Sequence, residues 1–531
     1  MNKVQLYKRH ILILLLSVIT VQVIYGQKEQ FTLPVQQYQD RVQAIWTAQM
    51  LGAIMGFPFE HKVASTKWID QLNPKVKHAP VDDDWYYEMV AIRAFEKYGV
   101  SMTVSQLGKQ WIENSAGTWG SSEQARLLMM KSLEPPHTGH PRYNKLWYSI
   151  GPQFSCDVYG ALAPGMPNLA AELARNYGHI NGFAEGLDGG VFVAGIVSLG
   201  FSETDTKVIV RKAAQLIHPS SPYRKCLDMI IELADKGKTA TEIFKAVEDE
   251  WRIEYPASNN AVANGGIVAT SVWFGDGDFL KTINLAFGAA DFTDADCNAA
   301  NAAAVVGAMH GMKALPTHLV KTLNDSIIGE KMGKLTLTPS VNESISELAQ
   351  RTTAIGIQLM QTKGAKLSSG NLVINLQQPI TQPAELFDLA ELTQYWNKDW
   401  KLERAGFGGA QGGMPGIRGI TWLNGEVLAT YPRDEARGVV LSRTIELDSP
   451  MQLSFVAGVD SLRMWKCEVY QDNKKIYEQI FEGTASGQKW YPVNILLTPG
   501  QEKTTRIRLY QRVLVPGRAS GTAYWKNLKI E

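Results

Sequence analysis

Five aspartates in two short runs carry the chemistry that this sequence is best equipped to do. Asp82, Asp83 and Asp84 stand immediately before Trp85-Tyr86-Tyr87-Glu88-Met89-Val90-Ala91. Asp294-Ala295-Asp296-Cys297-Asn298 opens the apolar stretch Ala299 to Met309, with Asp291 just upstream. Adjacent carboxylates repel one another, a cost relieved only by solvent or by a cation. Read alone, the first run is most simply an over-determined N-cap favoured by the helix dipole. The second run shifts that balance, because carboxylates leading into a helix that reads as buried on all sides must be paired or bind a metal. Oxygen ligands select hard cations such as Mg²⁺, Mn²⁺ or Ca²⁺ over zinc. Two such runs at two helix starts can hold two ions ~3.5–4 Å apart, a centre that orients a water and polarises a leaving group.

Glu60 is the candidate acid–base group. It follows Gly56-Phe57-Pro58-Phe59, and a carboxylate beside apolar rings has its pKa raised toward the working pH. An ordinary surface salt bridge is the plainer reading of the same residue. Asn259, Asn260 and Asn264 carry amides able to bind sugar hydroxyls, and serve equally as helix caps. His137 and His140 sit in a Pro-rich stretch without a completing Cys or acidic ligand, so a surface loop is the better reading than a metal site. Tyr86, Tyr87, Trp111, Trp119 and Trp147 read mainly as core aromatics that also supply rings for a pocket floor. Gly408-Gly409, Gly412-Gly413 and Gly416 follow no βαβ pattern and lack the P-loop Lys-Ser/Thr, which argues against phosphate binding.

The elements that must position these groups fall into distinct regions of the 531-residue chain. Lys3, Lys8, Arg9 and His10 precede the apolar run Ile11 to Leu16, which continues less cleanly to Tyr25. This is the order of a cleaved leader over residues 1–26, and the run is too short to span a bilayer. The expected location is periplasmic or secreted, with no membrane attachment after cleavage. From about residue 37 to 362 the chain is Ala-rich with helical period, which predicts an all-α bundle of closely approaching helices. Residues 363–398 read as a linker. Residues 399–531 carry many short alternating strands, among them Val439 to Ile445, Gln452 to Val456 and Thr505 to Tyr510, and predict a jelly-roll sandwich. Trp422, Trp465, Trp490, Tyr491, Tyr524 and Trp525 are its aromatics, read mostly as core with some able to stack on sugar rings. Fifty-three basic against 52 acidic residues argue against a polybasic nucleic-acid binder. Four scattered cysteines without a CxxC pair argue against zinc-knuckle, redox or disulfide scaffolds.

Taken together, several motifs resemble the ADP-ribosylglycohydrolase family, in a secreted branch with an appended C-terminal β-sandwich. Gly52-Ala53-Ile54-Met55-Gly56-Phe57-Pro58-Phe59-Glu60 is similar to its opening glycine motif, and Asp82-Asp83-Asp84 to its first metal motif. Ile150-Gly151-Pro152-Gln153 through Asp157-Val158-Tyr159-Gly160, then Pro164 to Pro167 into Ala170 to Ala174, then Phe274 to Phe279 follow in order. Asp294-Ala295-Asp296-Cys297-Asn298 resembles the final metal motif. The resemblance implies a helical fold and a binuclear Mg²⁺ centre, with Mn²⁺ as the alternative ion, that helps hydrolyse a bond at an anomeric carbon. It implies Asp82, Asp83, Asp84, Asp294 and Asp296 as ligands and Glu60 as general base or substrate gate. Cys297 stands where many members carry Ser or Thr, and a soft sulfur suits a hard ion badly. Ala53 replaces a common Asp; Asp188 and Gly190 replace a Tyr and a Glu; the three asparagines stand where a His is usual. Asp157, Asp188 and Asn264 are the expected substrate-binding residues of a rebuilt pocket.

The expected function is a secreted, metal-dependent hydrolase of a glycosidic bond in a carbohydrate or sugar conjugate. Two alternatives remain: hydrolysis of a true ADP-ribosyl conjugate, for which the sequence offers no clear basic cluster, and a non-catalytic carbohydrate-binding protein with a decayed helical domain. The expected partner is a carbohydrate or ADP-ribose-like small molecule, and no nucleic acid.

Overall fold

The computed structural model describes residues 30–252, 255, 258–388, 391–405, 421–430, 438–514 and 521–531. The leader at 1–26 and the glycine-rich loop at 408–416 lie outside the described residues. Among the described residues no helix is long and apolar enough to cross a membrane, and all four cysteines are free and buried.

The helical domain is organised around helices α1 (Val35–Gly56), α2 (Asp83–Tyr98), α3 (Gly120–Met129), α4 (Ala184–Gly200), α5 (Ala261–Gly275), α6 (Ala295–His310) and α7 (Ile345–Thr362). In α4 every residue is buried, and in α6 all but His310. Neither has a polar stripe to show to water, so each is surrounded by other helices rather than laid on a surface. Small residues make that possible. A Cβ on Gly52 of α1 would lie 2.8 Å from the Ala299 carbonyl oxygen of α6, and one on Gly56 only 2.6 Å from the Asp296 Cα. The register shows that α1 and α6 run antiparallel, backbone against backbone, so the last turn of α1 meets the first turn of α6.

The domain is not helical throughout. Strand β1 (Gln30–Pro34) leads into α1, and a hairpin of β2 (Ser326–Met332) and β3 (Leu335–Ser344) interrupts the helices ahead of α7. Ile327, Met332, Leu337 and Val341 are buried along that hairpin while polar residues between them face outward, a strand alternation that overrides the helical surroundings. β4 (Lys366–Ser368) and β5 (Asn371–Asn375) follow α7, and β5 pairs antiparallel with β1. The stretch after β5 is strapped to the helical domain. Gln377 N donates to the Gly165 carbonyl at 3.1 Å. Glu385 takes hydrogen bonds from Arg175 at 3.4 Å, from His179 at 2.9 Å and from the Ala184 amide at 2.8 Å.

The C-terminal domain is a two-sheet antiparallel sandwich. The sheet carrying β6 (Lys401–Ala405) and β9 (Gly438–Glu446) continues through β14 (Thr504–Arg512) and β11 (Met464–Gln471) to β12 (Lys474–Glu482). The other carries β7 (Thr421–Asn424), β8 (Val427–Thr430), β15 (Ala523–Ile530), β10 (Met451–Val459) and β13 (Lys489–Leu497) in that order. Phe455, Trp465, Phe481 and Trp525 fill the space between them, with the Trp465 and Trp525 ring centroids 5.2 Å apart.

The α1–α6 contact yields a direct test. Gly56→Ala must push the Asp296 backbone away, and is expected to lower stability by about 1–3 kcal/mol, seen as a lower thermal midpoint. Gly500→Ala, where an added Cβ meets nothing within 4 Å, is expected to leave the midpoint in place.

Candidate metal and active site

Because α1 and α6 are antiparallel neighbours, whatever follows α1 lies beside whatever precedes α6. The turn Phe57–Phe59 continues α1, and Glu60 and His61 come next. The His61 amide donates to the Thr293 carbonyl at 2.8 Å, and the Phe292 amide donates to the Lys62 carbonyl at 2.6 Å. The Glu60 turn is thus stitched to the strand of chain that delivers Asp294. α2 supplies the third component. Gln49 of α1 donates from Nε2 to the Asp84 carbonyl and to the Glu88 carboxylate, both at 3.1 Å, fixing the start of α2 against the same end of the bundle.

These ends enclose a cavity of about 400 Å³. Glu60, Asp82, Asp83, Asp294, Asp296 and Cys297 share its wall with Phe57, His61, Trp119 and Asn259. Asp82 and Asp294 occupy the N-cap positions of α2 and α6, yet neither side chain makes a capping hydrogen bond. Asp205 and Asp278, by contrast, cap their helices through Lys207 N and Lys281 N. Both oxygens of Asp84 and one each of Asp294 and Asp296 are buried without any hydrogen-bond partner. Ligand atoms of Asp294, Asp296 and Cys297 lie within 4.8 Å of one another.

Electrostatics points the same way. Burial, reinforced by neighbouring carboxylates, raises the pKa of Asp83, Asp84 and Asp296 well above the usual carboxylate range, and burial raises that of Asp82. Partnerless carboxylates crowded this closely cannot all ionise without a compensating cation. The donor set consists of oxygens from two helix starts, which fits a hard divalent ion. Burial pushes the Cys297 thiol up as well, and its soft sulfur suits a hard ion less well than the carboxylate oxygens do.

Glu60 is partly buried, and its pKa is raised by that burial and by Asp294, with His61 opposing. His61 Nε2 stands 3.5 Å from Glu60 Oε1 and 3.8 Å from Asp294 Oδ2. Its backbone is in the left-handed region at φ 51°, rare for a non-glycine residue. No motif marks His61; its place directly after Glu60 is its only signal in the sequence. Trp119, 47% exposed, stands at the rim, whereas Tyr86, Tyr87, Trp111 and Trp147 are buried in the core.

Three expected substrate-binding residues do not line the cavity. Asp157 lies behind it, accepting from Asn301 Nδ2 at 2.9 Å, and burial pushes its carboxyl up to about 8. Asn264 is fully buried on α5, and its Oδ1 accepts from the Asp294 amide at 3.2 Å and from Asn298 Nδ2 at 2.8 Å. It buttresses the start of α6. Asp188 is buried on α4 and accepts from Ser221 Oγ at 2.5 Å. Among the described residues His137 and His140 belong to no metal-ligand group: His140 Nδ1 accepts from the Arg142 amide and its ring packs edge-on against Phe183.

A second cavity of about 510 Å³ adjoins the first, sharing Phe57 and Asp82 with it. Trp85, Ile54 and Val76 give it apolar walls, Lys75 and Lys77 supply cationic groups, and His78 adds an imidazole, all from outside the motifs.

A helical domain with carboxylate clusters at two helix starts and a glutamate beside them forms a candidate metal and acid–base site. The family model for ADP-ribosylglycohydrolase matches residues 34–356. The chain belongs to the ADP-ribosylglycohydrolase family. A solved ADP-ribosylglycohydrolase-related protein complex is similar at 15% identity, covering 61% of this chain and 100% of that one, with a TM-score of 0.43. A carbohydrate-binding module, CBM4, is similar at 16% identity over 25% of this chain and 88% of its own, with a TM-score of 0.19. TmCBM61, solved in complex with β-1,4-galactotriose, is similar at 13% identity over 25% of this chain and 83% of its own, with a TM-score of 0.16. No curated protein shows significant sequence similarity to the chain.

Asp188 sets a pH dependence of folding. Burial raises its carboxyl from the ordinary range to about 7, with the Ser221 hydrogen bond pulling the other way. The folded state therefore keeps a proton that the unfolded chain releases. The stability this contributes is complete below the unfolded value and is lost as pH rises toward about 7, at ~1.4 kcal/mol per pH unit at most. Asp188→Asn, which cannot titrate, is expected to flatten the fall of the thermal midpoint between about pH 5 and 7. Parallel curves for the two proteins would contradict a protonated Asp188.

Proposed function

We propose that the protein is an exported, divalent-metal-dependent hydrolase that cleaves a glycosidic bond in a carbohydrate or sugar conjugate. The observation that carries this reading is the single cavity wall shared by Glu60, by Asp82 and Asp83 at the start of α2, and by the partnerless carboxylates Asp294 and Asp296 at the start of α6. Asp82, Asp83, Asp84, Asp294 and Asp296 would hold two Mg²⁺ or Mn²⁺ ions. When bound, the ions supply Lewis acidity and positive charge toward a sugar oxygen and a water. Glu60, held at raised pKa, takes the proton of the water whose oxygen bonds to the anomeric carbon. The bond from that carbon to the leaving atom breaks, and the leaving atom takes up the proton that Glu60 accepted, which regenerates the carboxylate. Phe57 and Trp119 flank the entrance with apolar faces suited to a sugar ring, and Asn259 offers an amide to its hydroxyls. Export rests on the basic-then-apolar order of residues 1–26.

One observation favours a second reading. Lys75 and Lys77, in the adjoining cavity beside Phe57 and Asp82, are cations of the kind a diphosphate needs, which an ADP-ribosyl conjugate would bring.

The protein from Gln27 onward, incubated with Mg²⁺ or EDTA and mixed oligosaccharides, nucleosides and ADP-ribosylated peptides, separates these readings by chromatography of the products. Metal-dependent sugar release is the expected result, whereas free ADP-ribose would select the second reading. Lack of any metal-dependent product would overturn both. Glu60→Gln is expected to lower kcat by about 10²–10⁴ with Mg²⁺ binding intact by calorimetry, and Asp83→Ala to weaken Mg²⁺ binding itself.

A further inference from the structure

A larger concavity, about 900 Å³, opens between the helical domain and the sandwich. α3 and the segment 142–145 form one side, and a short helix (Leu392–Trp396) with the β7–β8 hairpin forms the other. The second side is built as a unit: Trp396 Nε1 donates to the Glu426 carbonyl at 3.0 Å, and Asn397 Nδ2 donates to the Leu528 carbonyl at 2.7 Å.

The groove is cationic in a protein whose formal charge is only +1. Lys131, Arg142 and Lys145 line it and are exposed, and Glu426 is its one carboxylate. Among the described residues none of the three cations has a carboxylate within salt-bridge distance, whereas Arg211, Arg224 and Lys245 on helices elsewhere in the domain are paired. Instead they lie over rings. The Arg142 guanidinium is 5.3 Å from the centre of the Tyr395 ring, and Lys145 Nζ is 5.6 Å from that of Trp422. Contact with a ring orients a cation without neutralising it, so its full charge remains for a ligand. Gln124, Asn424 and Asn527 add amides, which both donate to and accept from hydroxyls.

We propose that this groove binds a carboxylate-bearing oligosaccharide, a chain of uronic-acid sugars, and holds it for the catalytic cavity. Paired donors on unneutralised cations suit carboxylates, and interspersed amides suit the hydroxyls between them. Bases of a single-stranded nucleic acid would need bare ring faces for stacking, and here Arg142 and Lys145 cover faces of Tyr395 and Trp422. α3 links the two sites. Its first residues, Gly120, Ser121 and Ser122, line the catalytic cavity, and Gln124 and Leu128 further along line the groove. A ten-residue helix is about 15 Å long, so a ligand in the groove is within a few sugar units of the carboxylates. The destination of the chain rests on the glycosidic-hydrolase reading; its binding does not.

The test is calorimetry on the full chain from Gln27 in EDTA, which removes turnover. The probes are oligogalacturonate, a neutral galactose oligomer of equal length, and a single-stranded oligonucleotide. Oligogalacturonate is expected to bind, more weakly as salt is raised, and Arg142→Gln with Lys145→Gln to cost at least about tenfold in affinity. Both positions are exposed, and an unchanged thermal midpoint verifies the fold. Trp422→Ala, which removes the ring that orients Lys145, is expected to weaken binding in the same direction. Equal affinity for the neutral oligomer, preference for the oligonucleotide, or indifference to the double substitution would each overturn the proposal. Uronate binding that persists without any hydrolytic product sinks the hydrolase reading alone. Sugar release that persists without uronate binding sinks the groove alone.

Discussion

The structure turns on buried carboxylates that cannot all ionise at once unless something compensates their charge. α2 and α6 both begin at the same cavity, so two helix N-termini aim their positive ends at Asp82–Asp84 and Asp294–Asp296. Each dipole contributes about 0.3–1 kcal/mol, while an uncompensated buried charge costs several. The dipoles therefore bias the site toward anions but do not neutralise it. Such a cluster survives only if something forces it together, and the α1–α6 contact does so. Backbone contact at Gly52 and Gly56 leaves no room for α6 to slide or tilt and relieve the repulsion.

Behind the cavity a set of buried polar links fixes each contributor to its neighbours. Glu88 of α2 accepts from Gln49 of α1 and from the Val158 amide at 3.0 Å, so one carboxylate joins three segments. Asp157 is held by Asn301 of α6, and Asn264 of α5 is held by the Asp294 amide and Asn298. Burial raises the Glu88 and Asp157 carboxyls well above the usual range. These groups position the site while standing outside it.

Much of this was legible in the sequence because the relevant signals are local. The two aspartate runs declare themselves by their spacing, and the Ala/Gly texture around them predicts helices that approach closely. The sandwich strands follow from alternation: Val439 to Ile445 falls within β9, and Thr505 to Tyr510 within β14. What was not legible depends on distant pairing. Asp188 and Asn264 are polar residues in helices, and nothing local separates a side chain that faces a cavity from one that serves Ser221 or the Asp294 amide across the bundle. The β2–β3 hairpin lies inside a region dominated by helical period, and its own alternation is broken by a register shift between Gly329 and Lys331. Lys75 and Lys77 lie outside every motif, and only folding of the loop before α2 carries them to the second cavity.

The stretch read as a linker carries the strongest constraint on the sandwich. A free tether would let the two domains reorient, since the default for joined domains is relative motion. Here Glu385 is gripped by Arg175, His179 and the Ala184 amide, and Phe387 packs against Trp147 with ring centroids 5.3 Å apart. A few residues later the helix Leu392–Trp396 reaches the β7–β8 hairpin through the Trp396 indole. Thus the chain is anchored on the helical domain immediately before it engages the sandwich. Short anchored connections fix relative position far more tightly than flexible ones of the same length. The strap therefore does for the groove what the α1–α6 contact does for the aspartates: it holds side chains from distant parts of the sequence at one place, where neither domain alone could assemble them.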